Sequence, residues 1–233
     1  MAKSIKFLGQ SGFVISSVNG KIIVVDPWIT NNPVCPLKSE DIKSADAVMV
    51  THDHFDHIAD AADIVTRTGA ILVAQPELLN WFKSNYGLSE ANMVFGGYGM
   101  NMGGSFVLDG ITVTMTQAFH SSGVGAPCGY LIKLEDGSVI YHAGDTCIFD
   151  SMRLIGELYQ IDLALLPIGG VFTMDPFQAG KALAILKPKR VIPMHYQTVP
   201  ILEPSADNFV AVAKREAPNV EVIVLQPGGE YSL

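Results

Sequence analysis

Cysteine is scarce in this chain of 233 residues: Cys35, Cys128 and Cys147 are odd in number, widely spaced and form no C-x-x-C pair. That excludes a disulfide framework, and reduced thiols in a cytoplasmic protein are the simplest expectation. Charge is sparse as well, at 16% of residues, with 23 acidic against 15 basic side chains and a net charge of −8. With no basic run, the chain lacks the electrostatic footprint of a nucleic-acid binder. Long apolar runs are missing too. The longest candidate, 163–172, is interrupted by Pro167, Gly169 and Gly170, so no membrane insertion is expected. The opening Met-Ala-Lys-Ser-Ile-Lys-Phe-Leu-Gly has no apolar h-region of a signal peptide. No Gly-x-Ser-x-Gly elbow, phosphate-cradling P-loop or dinucleotide fingerprint occurs. Ser121 and Ser122, beside His120, are therefore poor nucleophile candidates.

What the chain does have is apolar mass, at 48% of residues. That suffices for a sizeable core and argues against disorder. Strands are expected at 4–8, 12–16, 21–26, 47–51 and 70–74, from short apolar runs between Gly-containing turns. Helices are expected at 56–67 and 76–86, the second with Pro76 at its start. The five-glycine stretch 95–104 reads as a loop. Strands resume at 105–108, 111–118, 129–134 and 138–142, with Asp109-Gly110 and Asp136-Gly137 as hairpin turns. Helix–strand alternation follows: helices at 151–159, 176–186 and 206–215, strands at 162–166, 190–194 and 220–225. No linker divides the chain, so 1–233 is read as one domain. Many strands first and alternation later suggest two packed sheets with helices on their outer faces. The strand endings at Asp26 and Asp145 hint at an internal pseudo-repeat.

The densest chemistry is His52-Asp53-His54-Phe55-Asp56-His57, directly after the apolar run Val48-Met49-Val50, in a chain of only six histidines. Imidazole nitrogens and carboxylate oxygens are the usual ligands of zinc and similar divalent ions. One ion does not readily take four ligands from so short a segment. On an extended strand end His52 and His54 share a face, and the turn after them carries Asp56 and His57 elsewhere. The spacing therefore points to a two-metal site. His120, Asp145 and His195 each sit just past an apolar strand, and strand ends meeting at one sandwich edge would bring them to the cluster. Asp26 reads as a structural carboxylate bonding the cluster loop from behind. His142 reads as a core or supporting histidine, and Cys147 as a small buried thiol. Asp175-Pro176 reads as a helix N-cap followed by Pro at the first position. Met174, Met100 and Met102 read as core or loop residues.

The chain resembles the metallo-β-lactamase-fold superfamily, and over nearly its full length it is similar to the UPF0173 metal-dependent hydrolases, a group related to the ascorbate-6-phosphate lactonases. Thr51 to His57, Ala118-Phe119-His120-Ser121, Tyr141 to Thr146, Pro167-Ile168-Gly169-Gly170 with Phe172-Thr173-Met174, and Pro193-Met194-His195-Tyr196 carry the likeness. The resemblance implies an α+β, four-layer αββα sandwich with two divalent ions per chain on one edge, zinc first, with manganese, iron and nickel also compatible. It implies that His52, His54 and His120 bind one ion, that Asp56, His57 and His195 bind the other, and that Asp145 bridges them. It further implies that Asp53 contacts the attacking water or takes up the leaving proton. Gln10 and Val171 depart from the group's pattern, where His and a polar residue are common.

The expected activity is hydrolysis of a small ester, lactone or phosphoester by a metal-bound hydroxide. The small-molecule substrate is the expected partner, with room for a homo-oligomer. The alternatives are a nuclease or phosphodiesterase of the same superfamily, a di-iron redox protein, and a non-catalytic metal-binding module. The nuclease would need a basic groove, and the di-iron protein a carboxylate where this chain has His54.

Overall fold

A computed structural model describes residues 3–233; Met1 and Ala2, the start of the stretch without an apolar leader core, lie outside it. The chain opens with β1 (Ser4–Gly9), β2 (Gly12–Ser16), β3 (Ile22–Val25) and β4 (Ala47–Met49). Then come α1 (Phe55–Ile58), α2 (Ala61–Thr68), β5 (Ile71–Val73) and α3 (Pro76–Tyr86). Four strands follow: β6 (Ser105–Leu108), β7 (Ile111–Gln117), β8 (Cys128–Lys133) and β9 (Val139–His142). The remainder alternates: α4 (Met152–Leu158), β10 (Leu163–Pro167), α5 (Pro176–Leu186), β11 (Arg190–Met194) and α6 (Asp207–Glu216), then the short β12 (Glu221–Val222) and β13 (Glu230–Ser232).

The strands form a six-stranded sheet, ordered β13-β1-β2-β3-β4-β5, and a seven-stranded sheet, ordered β12-β11-β10-β9-β8-β7-β6. Alternation decides which side chains meet. In the second sheet Tyr130, Ile132, Ile140, Leu163, Leu165, Ile192 and Met194 join the core shared with the first sheet. Their strand neighbours Leu131, Tyr141, Ala164, Leu166 and Val191 pack the other way, with Leu183 and Leu186 of α5 and Phe209 of α6. A period of two along each strand thus builds two apolar layers at once. Ile64 of α2 and Leu79 and Phe82 of α3 pack into the core of the first sheet. The result is the expected αββα sandwich.

Strand direction places the functional edge. β3, β4 and β5 are parallel, and so are β9, β10, β11 and β12. β7 reaches β9 through two antiparallel pairings, with β8 between them. It therefore runs in the same direction as β9, and the carboxyl ends of β7, β9 and β11 share one edge. Within each sheet, antiparallel pairing gives way to parallel at a single strand, β3 in the first and β9 in the second. Asp26 follows one and Asp145 the other, which gives the pseudo-repeat a structural meaning. Crevices outside the carboxyl ends of parallel strands are where open α/β sheets bind ligands.

Four expectations are corrected. The helix expected over 56–67 is two helices, because Asp60 is drawn away to accept from the backbone N–H groups of Ile29 and Thr30, at 2.6 and 2.9 Å. The final strand is only Glu221–Val222, where β12 pairs with β11 over two residues. Glu230–Ser232 is an additional strand, held against β1. Cys147 is exposed rather than buried. Its neighbour Thr146 takes the inward position, with its Oγ1 accepting from the Phe119 N–H at 3.0 Å.

Candidate metal centre

The histidine cluster leaves β4 through Val50 and Thr51 and turns at once into α1. His54 is the N-cap of that single-turn helix, and its carbonyl accepts from the N–H of His57 at 3.0 Å. The tight turn puts His52 and His54 on one side and Asp56 and His57 on the other. His120 arrives from the end of β7, Asp145 from β9 and His195 from β11. Two glycines make these arrivals possible. Gly144 has φ +64, and a Cβ there would lie 2.3 Å from the Cys128 carbonyl oxygen. A Cβ on Gly169 would lie 2.0 Å from the carbonyl oxygen of His195.

All seven sequence-predicted ligands come together. The ligand atoms of His52, His54 and His120 lie within 4.8 Å of one another, and so do those of Asp56, His57, Asp145 and His195. Asp145 Oδ2 is the common point. It lies 2.9 Å from His195 Nε2, 3.4 Å from His57 Nε2 and 3.6 Å from His120 Nε2. His54 Nδ1 and His120 Nε2 face each other at 3.3 Å.

Around this core the structure sets tautomers. The Thr51 N–H and hydroxyl donate to the buried Asp26 carboxylate at 2.8 and 2.7 Å. His57 Nδ1 donates to the same carboxylate at 2.8 Å. With its proton committed to Asp26, Thr51 Oγ1 accepts from His52 Nδ1 at 3.0 Å. Both Nδ1 atoms therefore carry protons, and both Nε2 atoms are turned to the site, that of His57 becoming an electron-pair donor once a cation displaces its proton. Those two Nε2 atoms are buried without a hydrogen-bond partner. An unmet buried polar atom costs about 1–3 kcal/mol, and a divalent cation would satisfy both. The donor set of imidazole nitrogens and carboxylate oxygens thus fits such ions. Asp26 plays the supporting part expected of it. His142 is fully buried, with Nε2 donating to the Ser11 carbonyl at 2.9 Å and Nδ1 accepting from the Gly144 N–H at 3.1 Å. Both nitrogens are used, so it is a supporting residue.

The two groups differ electrically. Burial, helped by the neighbouring His57, pushes His52 down to about 2. Burial also lowers His120. In the second group burial acts the same way on His57, but the charges of Asp145, Asp26 and Asp56 outweigh it and hold His57 well above its ordinary value. His195 is raised to about 9 against burial by Asp145 and by hydrogen bonds to Asp145 and Asp56. Burial would raise Asp145, yet His195 and His57 keep it well below the usual carboxylate range. An ion entering the second group displaces protons; one entering the first meets neutral imidazoles at His52 and His120.

Asp53, between two of the cluster histidines, is anchored to the loop after His120. Its Oδ1 accepts from Ser122 Oγ and the Gly123 N–H, both at 2.8 Å. It ties down the loop that carries His120 and does not line the cavity over the site. Gln10 has a part that pattern reading left undefined. Its Nε2 donates to Asp56 Oδ2 at 2.7 Å, and its Oε1 accepts from the Thr198 hydroxyl. Its backbone carbonyl accepts from the His195 N–H at 2.7 Å. The sequence marked it by the Gly9-Gln10 turn between two strands and by its departure from the group's pattern, without giving its partners. A cavity of about 580 Å³ opens over Asp56, Asp145, His54, His120 and His195.

A two-sheet sandwich with His-x-His-x-Asp-His at a strand end, completed by His, Asp and His from three later strand ends, defines a metallo-β-lactamase-fold hydrolase. Residues 21–196 match the family model of the beta-lactamase superfamily domain, and the chain belongs to that family as a metal-dependent hydrolase. It is 43% identical over 237 residues to a UPF0173 metal-dependent hydrolase of Nitratidesulfovibrio vulgaris strain DP4, covering 100% of this chain and 96% of that one. A UPF0173 metal-dependent hydrolase of Thermococcus kodakarensis is 43% identical, over 98% of this chain and 99% of the relative. Among solved structures, Igni18, a metallo hydrolase from Ignicoccus hospitalis, superposes with a TM-score of 0.88 at 38% identity, covering 99% of this chain and 98% of that chain.

Proposed function

We propose that the chain holds two divalent cations, His52, His54 and His120 binding one, Asp56, His57 and His195 the other, with Asp145 shared, and that it hydrolyses a small ester, lactone or phosphoester. The observation that carries this reading is the position of Asp145 Oδ2 between imidazoles of both groups. Such a pair of ions supplies Lewis-acid polarisation of a carbonyl or phosphoryl oxygen and acidifies water for attack at neutral pH. The chain does the positioning. Asp26 keeps a proton on His57 Nδ1, so that Nε2 faces the site as an electron-pair donor. Gln10 fixes the carboxylate of Asp56. Asp53 fixes the loop of His120. Oxygen and imidazole donors suit zinc, and equally manganese, iron or nickel. Reduced thiols fit a cytoplasmic setting. No helix among the described residues is long and apolar enough to cross a membrane.

Elemental analysis of protein purified without chelator, alongside Asp145→Ala, tests the assignment. Two ions per chain in the wild type are expected, with reduced occupancy of both sites in the variant. Full two-ion occupancy of Asp145→Ala would overturn the sharing.

A further inference from the structure

The wall of the cavity carries the next step. Above the ligand cluster it is lined by Trp28, Phe55, Phe172, Val199, Ile201 and Leu202. Phe55, Phe172 and Ile201 are 67, 52 and 59% exposed, large apolar surfaces left open around one opening. Exposed apolar surface gathered in this way marks a binding site. Among the described residues no Lys or Arg lines the cavity. The sequence has none anywhere in 91–132 or 191–213, stretches that supply His120, Ser121, His195, Val199, Ile201 and Leu202. The charged or titratable lining is His54, His120, His195, Asp56 and Asp145, all on the ligand cluster itself.

The wall is held, not loose. Thr198 donates to Gln10, which in turn grips Asp56, so the 196–203 loop is registered to the acid at the floor. The Glu203 N–H donates to the Gly169 carbonyl at 3.1 Å, and the Gln197 N–H to the Glu203 carbonyl at 2.8 Å. Trp28 and Phe55 pack edge to face at 5.3 Å.

We infer that the substrate is a carboxylic ester or lactone with an uncharged, apolar acyl or alkyl arm lying on this wall. This deepens the hydrolase reading above and rests on it. The cation pair of that reading can neutralise charge at the reacting carbonyl, but nothing along the wall can pair a second charge on the arm. A distal phosphate or carboxylate would be desolvated against Trp28, Phe172 and Ile201 without a partner. In the reaction, water adds its oxygen to the carbonyl carbon and the bond to the alcohol oxygen breaks. That oxygen takes one proton of the water, and the other is released as the new acid ionises.

Matched pairs test the arm. The zinc-loaded enzyme should hydrolyse para-nitrophenyl hexanoate with a kcat/KM at least about tenfold above that for mono-para-nitrophenyl adipate, the unpaired carboxylate being the only material difference. Ile201→Lys, a change at an exposed position, should bring the two substrates close to parity. Binding supplies an independent readout. In Trp81→Phe protein Trp28 is the sole tryptophan, and its emission is excited selectively over that of the tyrosines. Methyl hexyl ketone should quench it more strongly than the same ketone with its far methyl replaced by a carboxylate, in zinc-loaded and chelated protein alike. If neither ester is cleaved but the neutral ketone still binds better, ester hydrolysis fails and apolar recognition stands. Equal turnover of the two esters together with equal quenching overturns the inference. So does a shift from dimer to monomer in Ile201→Lys with no change in ester preference, which would make the wall a subunit contact.

Discussion

Replacing Asp26 by Asn separates the tautomer argument from packing. The side chain keeps its volume, and its remaining oxygen can still accept from the Thr51 N–H. The atom that replaces Oδ2 is now an amide nitrogen, facing His57 Nδ1 at about the 2.8 Å seen for the carboxylate. An NH2 group there donates to Nδ1, which moves the imidazole proton to Nε2, the atom that faces Asp145 at 3.4 Å. The Thr51 hydroxyl, now 2.7 Å from a donor, also loses its acceptor. Changes to a supporting partner of this kind cost about 10- to 100-fold in metal affinity, or about 1.4–2.8 kcal/mol. The lost acceptor adds a destabilisation of the metal-free fold of about 1–3 kcal/mol. The second site should therefore weaken far more than the first. Competition titrations against a coloured chelator, read as two successive affinities, measure this directly, and denaturant melts of chelated protein measure the stability change. Two unchanged affinities in Asp26→Asn, with the variant folded, would show that Asp26 does not set the protonation of His57.

The electrostatics of the second group give a pH prediction. His195 is raised from its ordinary 6.5 to about 9 in the folded, metal-free protein. Its contribution to stability is thus complete below 6.5 and is lost as pH rises through about 9. Melting temperatures of EDTA-treated protein should fall across that window, while metal-loaded protein, whose ligand proton is already displaced, should lie higher and fall less; parallel curves would contradict this. Asp53→Asn should keep both ions and turn over within a few-fold of wild type, since one amide oxygen can still accept from Ser122 and Gly123. Asp53→Ala should weaken the His52–His54–His120 site by about tenfold. A loss of about 100-fold in turnover for Asp53→Asn, with both ions retained, would return Asp53 to proton transfer.

How much of this was legible in the sequence follows from how local each feature is. Residues 52–57 lie within one tight turn, so their density alone announced the site. His120, Asp145 and His195 could be read because each follows an apolar run, and parallel alternation sends such ends to one edge. The break at Ala59-Asp60 could not be read, because helical spacing continues through it and the partners that pull Asp60 out of line, at Pro27, Ile29 and Thr30, are distant in sequence. β13 was invisible for the opposite reason: it has three residues, two of them exposed, and exists through its pairing with β1. The link from Thr198 through Gln10 to Asp56 spans 188 residues in its first step and 46 in its second, and no periodicity marks either end.

Asp26 and Asp145, which follow the two strands where antiparallel pairing gives way to parallel, took different roles because their donors differ. Asp26 receives three donors, the Thr51 N–H on Oδ1 and the Thr51 hydroxyl and His57 Nδ1 on Oδ2, so its carboxylate is engaged on both oxygens and faces the back of the cluster. Asp145 has only a long contact from Ser11 Oγ to Oδ1, at 3.4 Å, and its Oδ2 is left to the histidines. A carboxylate engaged on both oxygens by an amide, a hydroxyl and a supporting imidazole is a fixed support; one whose Oδ2 meets only imidazole N–H groups can exchange those protons for a cation. The difference is made by Thr51, which offers both its backbone and its hydroxyl to Asp26. Removing the hydroxyl in Thr51→Val should free Asp26 Oδ2 of one donor and His52 Nδ1 of its acceptor while leaving the charge on Asp145 untouched. The chain thus loses the orientation of His52 before it loses the shared carboxylate.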